Sequence, residues 1–348
     1  MDYKKVIEHI RQRIISQDEA IDRIEEALMI AEAGLNEPNK PLCVLLFLGP
    51  TGVGKTETVK ALAEAIHGES SAYCRVDMSG LSERHYAASF SGSPPGYIGS
   101  RENNTILDKN KIEGRFNKPG ILLLDEVEKA HPVVHQTLLQ IFDNALLRLS
   151  SGTEEIRFTN TIIIMTSNVG SEALRAVADH HESFRQTTSE SEASLRVDWE
   201  LSRKQIAMEA LERTFKPEFI NRVDGVIVFK WLNHDDLMRI LDIQVEELNK
   251  RLRRYHSFYA ELTQEAKGFL IEKGFDLKYG ARPLKRALRQ YLHQPLARLI
   301  IEEIIPRSSK IIVENMGDQF KFEVIPPEVE SLESESAESE PAVLKLKR

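Results

Sequence analysis

Cysteine is nearly absent from this chain. Its 348 residues hold two, Cys43 and Cys74, each inside an apolar run. Neither stands at metal-ligand spacing, which excludes a disulfide framework and a cysteine-based zinc site. They read as reduced core thiols in a cytosol-like compartment. Basic charge is short as well. Lys and Arg total 46 against 54 Asp and Glu, a net charge of −8, so nucleic acid is not expected as the main ligand. Long apolar runs are missing: no stretch of 18 apolar residues occurs, and MDYKKVIEHIRQRI at the start has no apolar h-region. No membrane span and no secretion signal are read, and the expected location is cytoplasmic. Aromatics make up only 7% of the residues. That scarcity singles out Tyr97 and Ile98, set in the glycine- and proline-rich loop SGSPPGYIGSRENN.

What is present is a regular alternation. Residues 3–33 carry apolar positions at helical spacing in two runs, with Ser16-Gln17-Asp18-Glu19 between them fitting a capping box. GLNEPNKP then breaks the pattern. Five short apolar runs follow, separated by helical stretches: LCVLLFL, AYCRVD, GILLLDE, NTIIIMTSN and GVIVF. Near-continuous apolar strands alternating with helices predict a parallel sheet covered on both faces. Residues 233–300 read as helical almost throughout, interrupted by KGFDLKYGARP. KIIVEN and QFKFEVI then form a two-strand signature. The chain ends in a run of Ser and Glu whose composition predicts disorder, and the 171–205 segment reads as loop-like.

The strongest chemical signal is Gly49-Pro50-Thr51-Gly52-Val53-Gly54-Lys55-Thr56, a P-loop between a predicted strand and a predicted helix. Its glycines let backbone N–H groups close around phosphate oxygens, and the helix N-terminus behind it favours negative charge. Lys55 supplies a point charge for the β- and γ-phosphates, and the Thr56 hydroxyl is a ligand for Mg²⁺. The second signal is Ile121-Leu122-Leu123-Leu124-Asp125-Glu126, an apolar strand ending in two carboxylates. Unpaired buried charge is costly, so the pair needs a task. Asp125 suits the Mg²⁺ shell, and Glu126 suits orientation and deprotonation of an attacking water.

In AGLNEPNKP, GPTGVGKTE, PPGYIG, LLDEVEKAHP, IIIMTSNVG, FKPEFINRVD and YGARPLKR, from about residue 3 to 325, the sequence resembles AAA+ ATPases of the Clp/ClpB type. The resemblance is to the second ATPase ring of ClpB-, ClpA- and ClpC-type unfoldases. It implies an α/β fold: a P-loop NTPase core with a parallel five-stranded sheet flanked by helices, and a small, mainly helical C-terminal lid domain with a short β hairpin. The implied division is N-terminal helices and linker at 1–41, large domain at 42–232, lid at 233–325 and acidic tail at 326–348. ATP and Mg²⁺ are the implied cofactors. The resemblance also assigns Asn168 as sensor 1, Arg222 as an arginine finger reaching the neighbouring subunit's nucleotide, and Arg282 as sensor 2. It places Ile15 and Gln17 at the adenine pocket. A finger acting in trans implies a homo-oligomeric ring, a hexamer in this family.

The expected activity is ATP hydrolysis that unfolds, threads or remodels a polypeptide through an axial pore lined by Tyr97. The alternatives are a regulatory or scaffolding ring whose ATP cycle switches partner binding, and a nucleic-acid motor, which the acidic balance opposes. Departures from the family narrow the expectation. The chain opens on its ATPase block, as a stand-alone single ring would. Between Asn168 and Arg222 there is no apolar-Gly-apolar tripeptide of the kind protease-coupled relatives carry, so a ClpP-like protease is not expected as a partner. Ser16 stands where the family has glycine, and Arg101-Glu102-Asn103-Asn104 replaces an acidic and Gly-Gly stretch after the tyrosine loop. A dedicated remodeller with a narrow range of clients, recruited through the 171–205 segment, the acidic tail or an adaptor, is the reading that follows.

Overall fold

A computed structural model describes residues 2–84, 90, 105–115, 118–149, 154–174, 192–276, 280–302 and 304–327, with the backbone alone for 192–201. Tyr97, Ile98, the Arg101–Asn104 stretch and the acidic tail from residue 328 onward lie outside the described residues. Helix α1 (Tyr3–Arg13) begins at Asp2, whose side chain accepts from the Lys5 N–H. It buries Val6, Ile7 and Ile10, and α2 (Asp18–Glu32) buries Ile21, Ile24 and Leu28. The capping box expected between them is not formed. Gln17 is the N-cap and makes no side-chain cap bond. Ser16 takes φ of 60° and donates its hydroxyl to Asp236, far away in sequence. A left-handed residue turns its side chain off the helix end, and the Asp236 carboxylate accepts its hydrogen bond.

The central sheet has the order β2-β3-β6-β1-β7 and every pairing is parallel, from β1 (Cys43–Leu48), β2 (Cys74–Asp77), β3 (Gly120–Asp125), β6 (Thr161–Ser167) and β7 (Gly225–Val228). The five apolar runs thus become five parallel strands. Their side chains alternate between two cores. Cys43, Leu45, Phe47, Ile121, Leu123, Ile162 and Ile164 face α1, α2 and α3 (Lys55–His67). Val44, Leu46, Leu48, Leu122, Leu124 and Ile163 face the other layer, from helices introduced next. Burying each such side chain contributes roughly 1.5–3 kcal/mol, so period-two alternation holds both layers on one sheet.

The second layer comprises α4 (Lys109–Glu113), α5 (Pro132–Asn144), α6 (Glu192–Thr214) and α7 (Pro217–Ile220). Part of the 171–205 segment read as loop is therefore the start of α6, where Ala207 and Leu211 anchor the helix to the core. A small antiparallel pair, β4 (Leu146–Arg148) and β5 (Glu155–Arg157), follows α5. Both cysteines are buried and free.

The lid contains α8 (His234–His256), β8 (Tyr259–Leu262), α9 (Gln264–Gly274), α10 (Arg282–Ala287), a π-helical stretch at Leu288–His293, α11 (Gln294–Glu302), β9 (Lys310–Asn315) and β10 (Phe320–Ile325). The expected terminal hairpin is the β9–β10 pair, and β8 joins it parallel to β9 as a third strand. This strand interrupts the stretch read as helical. Phe258, Ala260 and Leu262 are buried at every second position, and the Asn249 side chain of α8 clamps both backbone groups of Ala260 at 2.9 Å. No helix among the described residues is long and apolar enough to cross a membrane.

Candidate active site

The carboxyl ends of β1, β3 and β6 open into one cavity of about 590 Å³, the size of a small-molecule site. Ligands in open parallel sheets collect at this edge, because helix N-termini and strand-end loops converge there. Thr51, Gly52, Val53, Gly54, Lys55 and Thr56 line it, as do Asp125, Glu126, Asn168 and Arg282. Gly54 caps α3 with φ of 111°, a left-handed conformation that favours glycine, and so turns the loop into the helix.

Lys55 is buried, and its ammonium donates to the carbonyls of Gly49 and Pro50 and to Asn168 Oδ1, the latter two at 2.9 Å. Burial is the main cause that lowers its pKa to about 8, against the opposing pull of Glu128, Asp125 and Glu126. The carbonyl cage keeps the amine at the loop, where phosphate oxygens would replace those acceptors.

Thr166 was not singled out by the sequence, yet it organises both carboxylate residues. Its hydroxyl donates to Asp125 Oδ1 and accepts the Glu126 N–H at 3.1 Å. The signal was present in the register. Leu124 pairs with Met165, so the next residues along these parallel strands are Asp125 and Thr166. Glu126 itself is left-handed at φ of 57°, and Asn168 Nδ2 donates to its Oε1 at 3.4 Å. The Asn168 N–H is held by Glu128 at 3.2 Å. Asn168 and Glu126 are thereby linked to one another. Arg75, also missed, contacts Asp125 Oδ2 at 2.7 Å. The Asp125 carboxylate and Thr56 hydroxyl are hard oxygen donors beside the P-loop, a set that fits Mg²⁺ together with phosphate oxygens and water.

The lid closes the opposite side. Leu232, Ile240 and Ile243 share the cavity wall with Ile14 and Ile15, an apolar slot suited to a planar base, and Gln244 lines the same cavity. Gln17 is buried and ties three segments together. It donates to the carbonyls of Lys230 at 3.0 Å and Val53 at 3.3 Å, and accepts from the Lys230 N–H at 2.9 Å. Arg13 spans the two domains, meeting Glu64 and Glu57 of α3 and Glu247 of α8. Gly280 packs directly against the P-loop backbone, and the Ala281 N–H donates to the Gly52 carbonyl at 3.3 Å.

One expected site residue stands apart. Arg222 does not line this cavity; its Nε lies 2.5 Å from Asp143 Oδ1, beside a second hollow that includes Asp224 and Lys40. His131 and His135, four residues apart, both bind backbone: His131 caps α5, and His135 Nε2 meets the Val127 carbonyl at 2.9 Å.

Comparison with known proteins agrees with this geometry. The model described as AAA domain (Cdc48 subfamily) matches residues 40–226, and that of the C-terminal, D2-small domain of ClpB protein matches 232–313. The ATP-dependent protease ATP-binding subunit-like protein AmiB of Pseudomonas aeruginosa is 40% identical over 308 residues, covering 88% of this chain and 81% of that protein. The chaperone protein ClpB of Aquifex aeolicus is 39% identical over 319 residues, covering 91% of this chain and 30% of ClpB. A solved closed state of Hsp104 with ATPγS and FITC-casein matches with a TM-score of 0.74 at 31% identity, over 93% of this chain and 52% of that one. The chain thus spans less than a third of that ClpB and about half of Hsp104. A P-loop core and a ClpB-type small domain that enclose one cavity, in matching order along the sequence, place this chain in the Clp/Hsp104-type AAA+ ATPase family.

Proposed function

We propose that this chain hydrolyses Mg²⁺-ATP within a ring of its own copies and uses the cycle to unfold, thread or remodel polypeptides. The observation that carries the reading is a cavity lined jointly by the P-loop and by Arg282, Ile240 and Gln244 of the C-terminal domain. Gain or loss of a phosphate between those walls changes their preferred spacing, which converts hydrolysis into domain motion. The match to an Hsp104 structure that contains FITC-casein supports a polypeptide client.

In this reading the P-loop backbone from Gly49 to Thr56 cradles the phosphates and Lys55 neutralises them. Mg²⁺, held by Thr56 and Asp125, would supply electrostatic stabilisation of the phosphoryl oxygens. Glu126 accepts a proton from the attacking water, and Asn168 orients that water or the γ-phosphate. Arg282 reports nucleotide occupancy to the lid. Arg222, outside its own subunit's cavity, serves a neighbour. Ile15 lies against the base, and Tyr97 with Ile98 grips the client in the pore.

Stimulation of ATPase activity by casein but not by DNA tests the client class; stimulation by DNA alone overturns it. Glu126→Gln binds ATP, stalls and retains client, and failure to retain any polypeptide argues against threading. Arg222→Ala keeps nucleotide affinity and loses hydrolysis, whereas full ATPase activity in that variant removes the finger assignment. Partnership with a ClpP-like protease is not part of the proposal, and degradation of a model substrate with that protease would revise it.

A further inference from the structure

Helix α5 leaves the turn that carries Glu126 and ends beside Arg222. Near its start, His135 Nε2 lies 2.9 Å from the carbonyl of Val127, the residue after Glu126. A carbonyl only accepts, so that ring nitrogen carries the proton. The same imidazole packs on Phe215 and Phe219, at centroid distances of 5.5 and 5.4 Å. Those two rings stack on each other at 5.1 Å, and Phe142 of α5 closes the group at 5.8 Å from Phe219. Phe142, Phe215 and Phe219 are all buried. The Phe219 carbonyl accepts the Arg222 N–H at 3.2 Å, and Asp143, at the end of α5, holds Arg222 Nε at 2.5 Å. His135 and Asp143 are separated by roughly 12 Å of helical rise. One rigid element therefore contacts the backbone of the hydrolysis turn and the guanidinium of the finger.

We infer that Asp143 and His135 are positioning residues that set, through α5, the pose in which Arg222 is presented to the neighbouring subunit. The inference rests on the reading that Arg222 acts in trans. Asp143 engages Nε, which leaves the terminal amino groups of the guanidinium fork available for phosphate oxygens. Both members of the pair are about half exposed, so it contributes little to stability and its effect lies in orientation. His135 anchors the other end: a shift of the Glu126 turn moves Val127, and the aromatic group passes the shift to the segment bearing Arg222.

Mixed rings separate this role from a structural one. Glu126→Gln subunits have an intact finger and no hydrolysis of their own; Arg222→Ala subunits have an intact site and no finger. Mixing the two restores ATPase activity at junctions where a Glu126→Gln finger meets an Arg222→Ala site. Asp143→Ala added to the Glu126→Gln subunit lowers that restored kcat about tenfold or more, because a misplaced group loses its orientation. His135→Phe, which keeps a ring of similar size, lowers it by a smaller factor. KM for ATP stays unchanged, since the working sites belong to the other subunit. Asp143→Glu recovers part of the activity, and Val133→Ala on the exposed side of α5 has no effect. If Asp143→Ala subunits leave the ring on size-exclusion chromatography, the isosteric Asp143→Asn is measured in their place. Equal restoration by the double variants overturns the inference while the trans reading stands. No restoration by the simple mixture removes the trans reading and the inference with it.

Discussion

Gly280→Ala tests whether the lid shapes the nucleotide site through contact with the P-loop. Gly280 has φ of +58°, and a Cβ built there would lie 2.9 Å from the Thr51 carbonyl oxygen and 3.0 Å from the carbonyl carbon and oxygen of Gly52. These are backbone atoms, so no side-chain rotation relieves the clash. Left-handed backbone costs alanine about 1–2 kcal/mol. Moving the lid outward also breaks the bond from the Ala281 N–H to the Gly52 carbonyl, worth about 1 kcal/mol. The closed arrangement therefore weakens by about 2–3 kcal/mol, or roughly 30- to 150-fold in nucleotide affinity where binding requires closure. The assay is titration of a fluorescent ADP analogue, with steady-state ATPase activity alongside. Gly268→Ala is the control, because nothing lies within 4 Å of its Cβ position inside α9. That change stabilises by about 0.5–1 kcal/mol and leaves affinity alone. Affinity of Gly280→Ala within threefold of the parent would refute the reasoning, and an equal loss in Gly268→Ala would trace the effect to general lid stability.

Thr166→Val removes the hydroxyl shared by Asp125 and Glu126 at constant shape; kcat falls about 10- to 100-fold with ATP affinity nearly unchanged, Thr166→Ser restores it, and unaltered kcat would be the contrary result. Lys55, with a folded pKa near 8 against 10.5 ordinarily, gives a pH test with two signs. Below pH 8 the amine is charged in both states and its burial cost is fully present; from about 8 to 10.5 the unfolded chain binds the extra proton, so the stability of the nucleotide-free protein rises with pH. Nucleotide affinity falls over the same range as the phosphate-binding charge is lost, and a dissociation constant flat from about pH 7 to 9.5 contradicts this. Ser16→Ala keeps the left-handed strain and loses the bond to buried Asp236, so urea denaturation shows a loss of about 1–2 kcal/mol. Ser16→Gly loses the same bond but relieves the strain, and comes out close to the parent.

The inner strands were legible because a strand covered on both faces is almost wholly apolar, and such runs stand out between helical stretches; the edge strand β2 instead alternates buried Cys74 and Val76 with exposed Arg75 and Asp77. The P-loop and the Asp125-Glu126 pair were legible for a related reason: their spacing is local, and the backbone of one loop or one strand end does the work. Tyr259–Leu262 was not legible as a strand, since four residues between two helices pair with β9 some fifty positions later. The Ser16 region was misread because its local pattern favours a cap, while an acceptor 220 residues away decides the bond.

By itself, then, the sequence determined the sheet, the phosphate loop and the acidic pair, all features written in short-range spacing and hydrophobic period. The tertiary structure alone decided what those parts touch. It brought Thr166 beside Asp125 through strand register, set Gly280 against the P-loop, and joined Arg13 to Glu247 across the domains. It also set Arg222 on Asp143 outside its own cavity, at the far end of the helix that begins beside Glu126. Such contacts depend on how layers stack and which strands are neighbours, and a linear pattern specifies neither until the apolar faces have been buried together.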